Sequence, residues 1–228
     1  MRFRMLHPFP FLVVGFCCLL STNAFGDSIS FSDETFADSD WTAPLFFFSD
    51  PDIAYSNQQE GSGGNPGAYR EFSAVRTTPS PTSTFVRQAH LRNGAIFDPA
   101  TEGAITSLSY TFDILSLPIS GSGYVSFALG LLLYQNGAYY IAGGFGYTST
   151  GWRRIQQSFT SSISFYRIAG SGPDHPDFSA SGAPIRFGFF SQVFFATGGI
   201  GTKVGGIDNW SVTMNFTAPV PEPGTWWL

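Results

Sequence analysis

The sequence is poor in charged residues and has a single lysine, Lys203. Charged residues make up 12% of the 228 residues, about half of the ~25% usual for soluble domains. The net charge of −5 argues against a phosphate-backbone partner, so nucleic-acid binding is not expected. The chain holds 26 Gly, 15 Pro and 25 Phe, and it can therefore bury a large aromatic core between many turns.

Cysteine occurs only near the N-terminus. Both cysteines lie in an apolar run, residues 9–20, that follows Arg2 and Arg4 and precedes Ala24. This order is typical of a secretory signal peptide, which we assign to residues 1–24. The run is shorter than the ~20 residues that span a bilayer, so no stable transmembrane anchor is expected. The mature chain would then hold no disulfide and no cysteine nucleophile, which fits a bacterial secretory route.

Helical periodicity is nearly absent, and apolar and polar residues alternate with a period of two. Residues 108–114, 125–133 and 210–216 alternate in this way, as half-buried strands do. Residues 185–196 carry phenylalanine on both faces, as a strand buried on both sides would. Roughly ten to twelve short strands predict one all-β domain over residues 27–217, an antiparallel β-sandwich of the jelly-roll type.

Turn signals separate the predicted strands. Asn93-Gly94 and Asn136-Gly137 each lie between strand-like runs and predict two tight hairpins. Residues 63–67, Gly-Gly-Asn-Pro-Gly, predict another turn. His90 is expected on the polar face of its strand.

Residues 218–228 form a proline-rich tail. Its segment Val-Pro-Glu-Pro-Gly-Thr-Trp, which includes Pro221, Glu222 and Pro223, resembles the start of the PEP-CTERM sorting signal of bacterial exported proteins. In that family the motif precedes a transmembrane helix and an arginine cluster, and an exosortase is thought to process it. The motif is truncated here, because the sequence stops at Leu228. The resemblance implies export, with exosortase sorting machinery as a partner, or release of the protein.

Three short patches resemble the carbohydrate-binding jelly rolls of the galactose-binding-like and laminin-G-like types. They are Asp33 to Phe36 with Trp41, the segment that begins Gly151-Trp152, and Gly206 to Val212. The resemblance implies the jelly-roll fold and a binding role rather than a particular ligand. For an exported protein, it implies a module associated with carbohydrate or exopolysaccharide at the cell surface or in the extracellular matrix.

The sequence lacks the motifs of secreted hydrolases. It has no Gly-x-Ser-x-Gly elbow and no paired-histidine metal motif. Its acidic residues are too scattered to show the two close carboxylates of a glycosidase. We therefore expect no enzymatic activity. The alternatives to a carbohydrate-binding module are a structural matrix or surface protein without a sugar site and, third, a secreted glycoside hydrolase.

Four aromatic residues at predicted strand ends or near turns are candidate sugar platforms: Trp41, Tyr139, Tyr140 and Trp152. Aromatic rings pack on the apolar face of a pyranose while polar neighbours bind its hydroxyls. Core packing is the alternative for each of the four.

Asp208 is a candidate metal ligand in the last strand. It has the same parity as Trp210, so we expect it to point inward at the rim of the core. A buried carboxylate needs a partner, which could be Arg70, a hydrogen-bonded cap or calcium. Related jelly rolls bind a structural calcium between the opening acidic segment and the closing strand. That resemblance implies Asp33, Glu34 and Asp208 as the calcium ligands.

Overall fold

A computed structural model describes residues 26–42, 45–48, 50–146 and 149–217, with only the backbone for residues 45–48, 145 and 149. The predicted signal peptide, residues 1–24, and the sorting-motif residues Pro221, Glu222 and Pro223 lie outside the described residues.

Thirteen strands are present in the described part of the chain, together with one short helix and two 3-10 turns. The strands are β1 (Asp27–Asp33), β2 (Leu45–Phe48), β3 (Ile53–Gly64), β4 (Gly67–Arg76), β5 (Thr84–Phe97), β6 (Ala104–Ser116), β7 (Ser120–Ser122), β8 (Val125–Gln135), β9 (Ala138–Phe145), β10 (Ser149–Phe159), β11 (Tyr166–Ala169), β12 (Ile185–Phe195) and β13 (Ile200–Thr217). The helix α1 spans Pro99–Glu102, and the 3-10 turns span Asp38–Asp40 and Ser162–Ser164.

The strands form two antiparallel sheets that pack face to face. The seven-stranded sheet has the order β10-β6-β13-β4-β3, and β1 and β7 also pair with β13. The six-stranded sheet has the order β11-β9-β8-β12-β5-β2. This architecture confirms the predicted antiparallel β-sandwich of the jelly-roll type. No helix among the described residues is long and apolar enough to cross a membrane.

The alternating strands bury the predicted faces between the two sheets. Trp210 of β13 meets the Trp41 ring edge to face, with ring centroids 5.3 Å apart. Each large apolar side chain buried in this way contributes about 1.5–3 kcal/mol. The buried inward residues of the three alternating segments are Leu108, Tyr110, Phe112, Ile114, Val125, Phe127, Leu129, Leu131, Leu133, Trp210, Val212, Met214 and Phe216.

One of the two predicted hairpins forms and the other does not. Asn136 and Gly137 join β8 to β9 with φ values of 49° and 80°, as a type I′ turn requires. Asn93 and Gly94 lie inside β5, where the pairing with β12 shifts register. The hairpin prediction is wrong at this position because a glycine with positive φ, here 80°, fits a β-bulge as well as a turn.

His90 lies inside the sandwich and not on the solvent face. It is 1% exposed, and its ring stacks on Phe189 with centroids 4.5 Å apart. Ser191 Oγ lies 3.4 Å from His90 Nε2. The predicted solvent orientation is wrong because β5 presents His90 to the core and its neighbours Ala89 and Leu91 to the outer face.

A bulge in β13 reverses the expected orientation of Asp208. Its pairing with β6 shifts register between Asp208 and Ser211, and Asn209 between them has a φ of 50°. The extra residue lets Ile207 and Trp210 both face the core. Asp208 therefore lies on the outer face of the seven-stranded sheet, and the prediction that it points inward is wrong.

Candidate functional site

The six-stranded sheet carries a second apolar cluster on its outer face, separate from the main core. The cluster forms because β8 and β12 have apolar residues on both faces, so that one set fills the core and the other faces outward. The cluster and the side chains that border it, Phe85, Arg87, Arg186 and Gln192, are called the outer aromatic face. Its buried members are Ala89, Leu91, Leu132, Ile141 and Phe190, and the half-buried Tyr134, Tyr139 and Ile168 pack against them.

Two tyrosines and an arginine form a row across this face. Tyr134 of β8 pairs directly with Tyr139 of β9, and their ring centroids are 4.7 Å apart at an angle of 53°. Arg186 of β12 pairs with Tyr134 on its other side. Burial raises the pKa of the Tyr139 phenol and Tyr134 adds to this effect, whereas Arg186 opposes it. The row offers apolar ring surface next to hydroxyl and guanidinium donors.

Arg87 of β5 is held in place by aromatic rings on the same face. Its Cζ lies 5.2 Å from the Phe85 ring centroid and 5.6 Å from that of Phe190. Its Nε donates a hydrogen bond to Gln192 Oε1 at 2.8 Å. Burial lowers the pKa of Arg87, and Tyr166 opposes that effect. Cation–π contacts of this kind orient the planar guanidinium group. The hydrogen bond to Gln192 uses Nε and not the two Nη atoms.

A glycine on β8 allows the Phe190 ring to lie flat against the sheet. A Cβ atom at Gly130 would lie 2.4 Å from Phe190 Cε1, so a larger residue would displace the ring. The Phe190 ring, packed against β8 and beside Arg87, therefore forms the apolar floor of the outer aromatic face.

The outer face of the seven-stranded sheet is polar and internally hydrogen-bonded. Ser30 and Thr213 hydroxyls lie 2.7 Å apart, and Asn215 Nδ2 donates to Ser107 Oγ at 2.8 Å. These short side chains leave no aromatic ring exposed along the centre of β13. The centre of this face is therefore lined by short polar side chains, and the ring contact of Tyr69 with Trp152 lies at its β3–β4 end.

The β3–β4 hairpin covers one end of this polar face. Trp152 Nε1 donates to the backbone oxygen of Gly63 at 2.9 Å. The Trp152 ring also meets the Tyr69 ring edge to face, with centroids 5.1 Å apart. Because its only hydrogen-bond donor is used by the hairpin backbone, Trp152 anchors the hairpin.

The four predicted sugar platforms do not form one surface. Tyr139 lies on the outer aromatic face, and Trp152 lies on the opposite side of the sandwich. Trp41 is in the core, where its ring stacks on Phe36 with centroids 5.6 Å apart. Tyr140 is also buried, since it alternates with Tyr139, and its hydroxyl donates to the Pro173 oxygen at 3.2 Å. Trp41 and Tyr140 are therefore not exposed platforms, and those two predictions are wrong.

Asp33, the first predicted calcium ligand, is fully engaged by protein donors at the end of β1. Its Oδ1 accepts from the backbone N–H groups of Thr35 and Phe36 at 2.8 and 2.9 Å. Its Oδ2 accepts from Trp41 Nε1 at 2.8 Å and lies 3.2 Å from Arg92 Nε. Burial acts to raise the pKa of Asp33, but the hydrogen bonds from Phe36, Thr35 and Trp41 outweigh it and lower that pKa.

Asp208 and Asp113 form a buried carboxylate pair beneath the β3–β4 hairpin. They are direct cross-strand partners of β13 and β6, and each is 0% exposed. Asp208 accepts from the backbone N–H groups of Asn65 and Asn209. Asp113 accepts from Arg154 Nε at 2.9 Å and from Asn209 Nδ2 at 2.7 Å. Burial raises the pKa of Asp208 despite these N–H donors, and nearby Asp113 adds to the effect.

The predicted calcium set does not fit this arrangement. Asp33 faces the core, whereas Asp208 lies on the outer face beneath the hairpin, so the two do not converge. Calcium takes oxygen ligands, but N–H groups surround both carboxylates. Among the described residues, no group of three acidic, histidine or cysteine side chains, Glu34 included, is placed to hold a metal ion. Asp208 has the hydrogen-bonded cap instead, and Arg70 pairs with Asp38.

Most residues of the outer aromatic face are absent from the sequence-based candidates. Arg87, Tyr134, Arg186 and Phe190 are not among the predicted site residues, although two signals in the sequence point to residues of this face. Phenylalanines on both faces of β12 imply a second apolar surface outside the core. Phe85 and Arg87, two positions apart in a strand, must also share a face.

No protein-family model and no curated protein sequence matches the chain. Among solved structures, a carbohydrate-binding module described as belonging to the β-sandwich superfamily matches with a TM-score of 0.44 and 11% identity over 78% of this chain. This chain spans 60% of that structure. A module described for specific mannan recognition matches with a TM-score of 0.40 and 13% identity, covering 82% of this chain and 98% of the module. The CBM22-1–GH10 portion of xylanase 10B from Clostridium thermocellum matches with a TM-score of 0.36 and 12% identity, covering 82% of this chain and 28% of that chain. Similarity at this level assigns neither a family nor a ligand to this chain.

Proposed function

We propose that this protein is a non-catalytic module that binds polysaccharide on its outer aromatic face. The observation that carries the proposal is the placement of the ring row Tyr134–Tyr139 on the same sheet face as the side chains of Arg87 and Arg186. A sugar ring has apolar C–H faces and hydroxyl edges, so it needs ring surface and hydrogen-bond donors side by side.

The rigidity of these groups supports binding by a prearranged surface. Tyr134 and Tyr139 are half-buried and packed against each other. Arg87 is fixed by two rings and by Gln192. Side chains that are already ordered lose little conformational freedom when a ligand binds, which favours affinity.

The state of the acidic residues supports a binding role without catalysis. Glycoside hydrolysis needs two carboxyl groups that reach the substrate, one of them able to donate a proton. Asp113 and Asp208 form an adjacent carboxylate pair, but both are buried under the hairpin and hydrogen-bonded to N–H groups. A substrate cannot reach them without displacing the hairpin.

Isothermal titration calorimetry against a panel of soluble plant and bacterial polysaccharides tests the proposal. We expect binding to at least one polymer and about a ten-fold or greater loss of affinity in the double variant Tyr134→Ala/Tyr139→Ala, since stacked aromatic contacts are worth about 1 kcal/mol or more each. The matched control is Thr111→Ala/Thr213→Ala on the other outer face, which should bind as the wild type does. Folded wild-type protein that binds no polymer would support the alternative of a structural surface protein.

We also propose that the protein is exported to the cell surface or the extracellular space, with exosortase sorting machinery as a partner. The support comes from the sequence alone, through residues 1–24 and the Pro221–Pro223 motif. Intact-mass analysis of the secreted protein should find Phe25, or Asp27, as the first residue. Secreted protein that retains Met1 would contradict cleavage.

A further inference from the structure

We infer that the outer aromatic face takes an acidic polysaccharide, whose sugar carboxylates bind Arg87 and Arg186. The inference rests on the proposed function, because it names the ligand class of the same surface. It is carried by the distribution of charge between the two sheets and by the geometry of the two arginines.

The acidic residues that lie within strands are confined to one of the two sheets. The chain has 16 acidic residues, and none of them lies in the strands β2, β5, β8, β9, β11 and β12 of the six-stranded sheet. Those strands nevertheless hold four arginines. An acidic protein with a net charge of −5 thus has one sheet whose charged strand residues are all basic. The acidic residues within strands all belong to the seven-stranded sheet: Asp27, Asp33, Glu60, Glu71, Asp113 and Asp208.

Arg87 and Arg186 are the two arginines of this sheet for which the described residues provide no acidic partner. Arg92 pairs with Asp33 and Asp40, and Arg167 pairs with Asp174. None of the ion pairs found among the described residues involves Arg87 or Arg186. A half-buried cation that has no protein carboxylate beside it is suited to bind a carboxylate of a ligand.

The orientation of Arg87 favours a carboxylate over a hydroxyl. The rings of Phe85 and Phe190 and the bond from Nε to Gln192 hold the guanidinium group, so its Nη atoms remain for a ligand. A guanidinium group with two free N–H donors on adjacent nitrogens matches the two oxygens of a carboxylate. Partial burial also weakens the screening of this charge by salt.

The separation of the two arginines favours a polymer over a small acid. Arg87 pairs across the sheet with Gln192, and Arg186 lies six positions before Gln192 on β12. Six strand residues separate the two backbone positions by about 20 Å, a distance that suits a chain of several sugars better than a single carboxylate. The apolar floor with Phe190 lies between them. A linear chain of uronate residues would place a carboxylate at each end and sugar faces along the floor.

The test compares polygalacturonate with the same polymer after chemical reduction of its carboxyl groups, using the full chain and calorimetry. We expect the acidic polymer to bind about ten-fold or more tightly than the reduced polymer, as two charge-assisted contacts would give. Raising the salt concentration should reduce this difference. Arg87→Gln and Arg186→Gln should each remove about half of the difference in binding free energy, whereas Arg153→Gln on β10 should leave it unchanged.

The outcomes separate the inference from the proposed function. Equal binding of the two polymers, lost in Tyr134→Ala/Tyr139→Ala, would overturn the acidic ligand and keep the carbohydrate site. A preference for the acidic polymer that survives both arginine substitutions would also overturn the inference. Failure of the folded wild type to bind these and neutral polymers would overturn both. Arg87→Lys keeps the charge but loses the paired N–H donors of the guanidinium group. This variant should bind the acidic polymer more weakly than the wild type and more tightly than Arg87→Gln.

Discussion

The two outer faces of the sandwich differ in how they satisfy their polar groups. On the seven-stranded sheet, side chains bond to one another, as in the pair Ser30–Thr213, and the buried carboxylates of Asp113 and Asp208 are capped by N–H groups. On the six-stranded sheet, Arg87 and Arg186 have no acidic partner within the described part of the chain, and they lie beside aromatic residues. Side chains that hydrogen-bond to one another within a face stabilise the fold. Arginine N–H donors that have no protein carboxylate as partner can instead bind a ligand.

This difference has an origin in the strand patterns. β13 alternates apolar and polar residues, so its outer positions are short and polar. β8 and β12 are apolar on both faces, and the outer set must be covered by large side chains such as Tyr134 and Arg87. Long amphipathic side chains cover apolar surface with their stems and rings and keep their polar ends accessible.

The largest effect on stability is expected from Asp113→Ala on the polar face. The substitution removes the acceptor for Asn209 Nδ2, Asn65 Nδ2 and the Arg154 guanidinium. Because donors at a buried site lose their partner, the free energy of unfolding should fall by about 3 kcal/mol, measured by urea denaturation. Polysaccharide affinity should not change in the protein that remains folded. A ten-fold loss of affinity would show that the two faces are not independent.

Gly130→Ala should damage the outer aromatic face. The new Cβ atom would lie 2.4 Å from Phe190 Cε1, so the ring must move, at a cost of roughly 1–2 kcal/mol in stability. Affinity for polysaccharide should fall as well, because Arg87 rests on the Phe190 ring. The matched control is Gly206→Ala, whose Cβ atom would lie 2.9 Å from the Tyr69 ring on the other face. It should cost similar stability but keep the affinity, and equal losses of affinity in both variants would contradict the comparison.

Acid should lower the stability of the protein through His90, which is buried between the two sheets. Burial lowers the pKa of His90 well below 6.5, and Arg70 adds to this effect. The unfolded chain therefore binds a proton near pH 6.5 that the folded chain does not. Stability present above pH 6.5 is lost as the pH falls, by up to about 1.4 kcal/mol per pH unit. Urea denaturation of the wild type and of His90→Phe from pH 7.5 to 5 measures this, and parallel curves would exclude His90 as the cause.

The smallest effect is expected from chelation of calcium. Asp33 is engaged by Trp41 and by backbone N–H groups, and Asp208 is capped by Asn65 and Asn209. The melting temperature should therefore be the same with EDTA as with added calcium. A chelator-dependent decrease that Asp208→Asn abolishes would restore the calcium hypothesis.

The sequence predicts the fold well because alternation is a local property. Apolar residues at every second position, as in Leu108 to Ile114, report burial directly. The orientation of Asp208 was not predictable by parity, since Asn209 adds one residue to the strand. The hairpin predicted at Asn93-Gly94 does not form for a related reason, because turns and bulges use the same backbone conformations.

The site was only partly predictable because burial is set by the other sheet. Tyr139 and Tyr140 are adjacent and chemically identical, yet one lies outside and the other lies in the core. Trp41 resembles an exposed platform in the sequence, but Asp33 provides a buried acceptor for its N–H. Tyr134 and Tyr139 face each other across the local β8–β9 hairpin. The pairing of β8 with β12, which adds Arg186 to the row, joins distant parts of the chain.

Amide chemical-shift mapping by NMR with polygalacturonate tests the central claim that the outer aromatic face is the binding surface. The account predicts shifts that saturate together at Tyr134, Tyr139 and Phe190, while Thr111 and Thr213 on the opposite face stay unchanged. Shifts confined to Thr111 and Thr213, or an unchanged spectrum with every polymer of the panel, would contradict it.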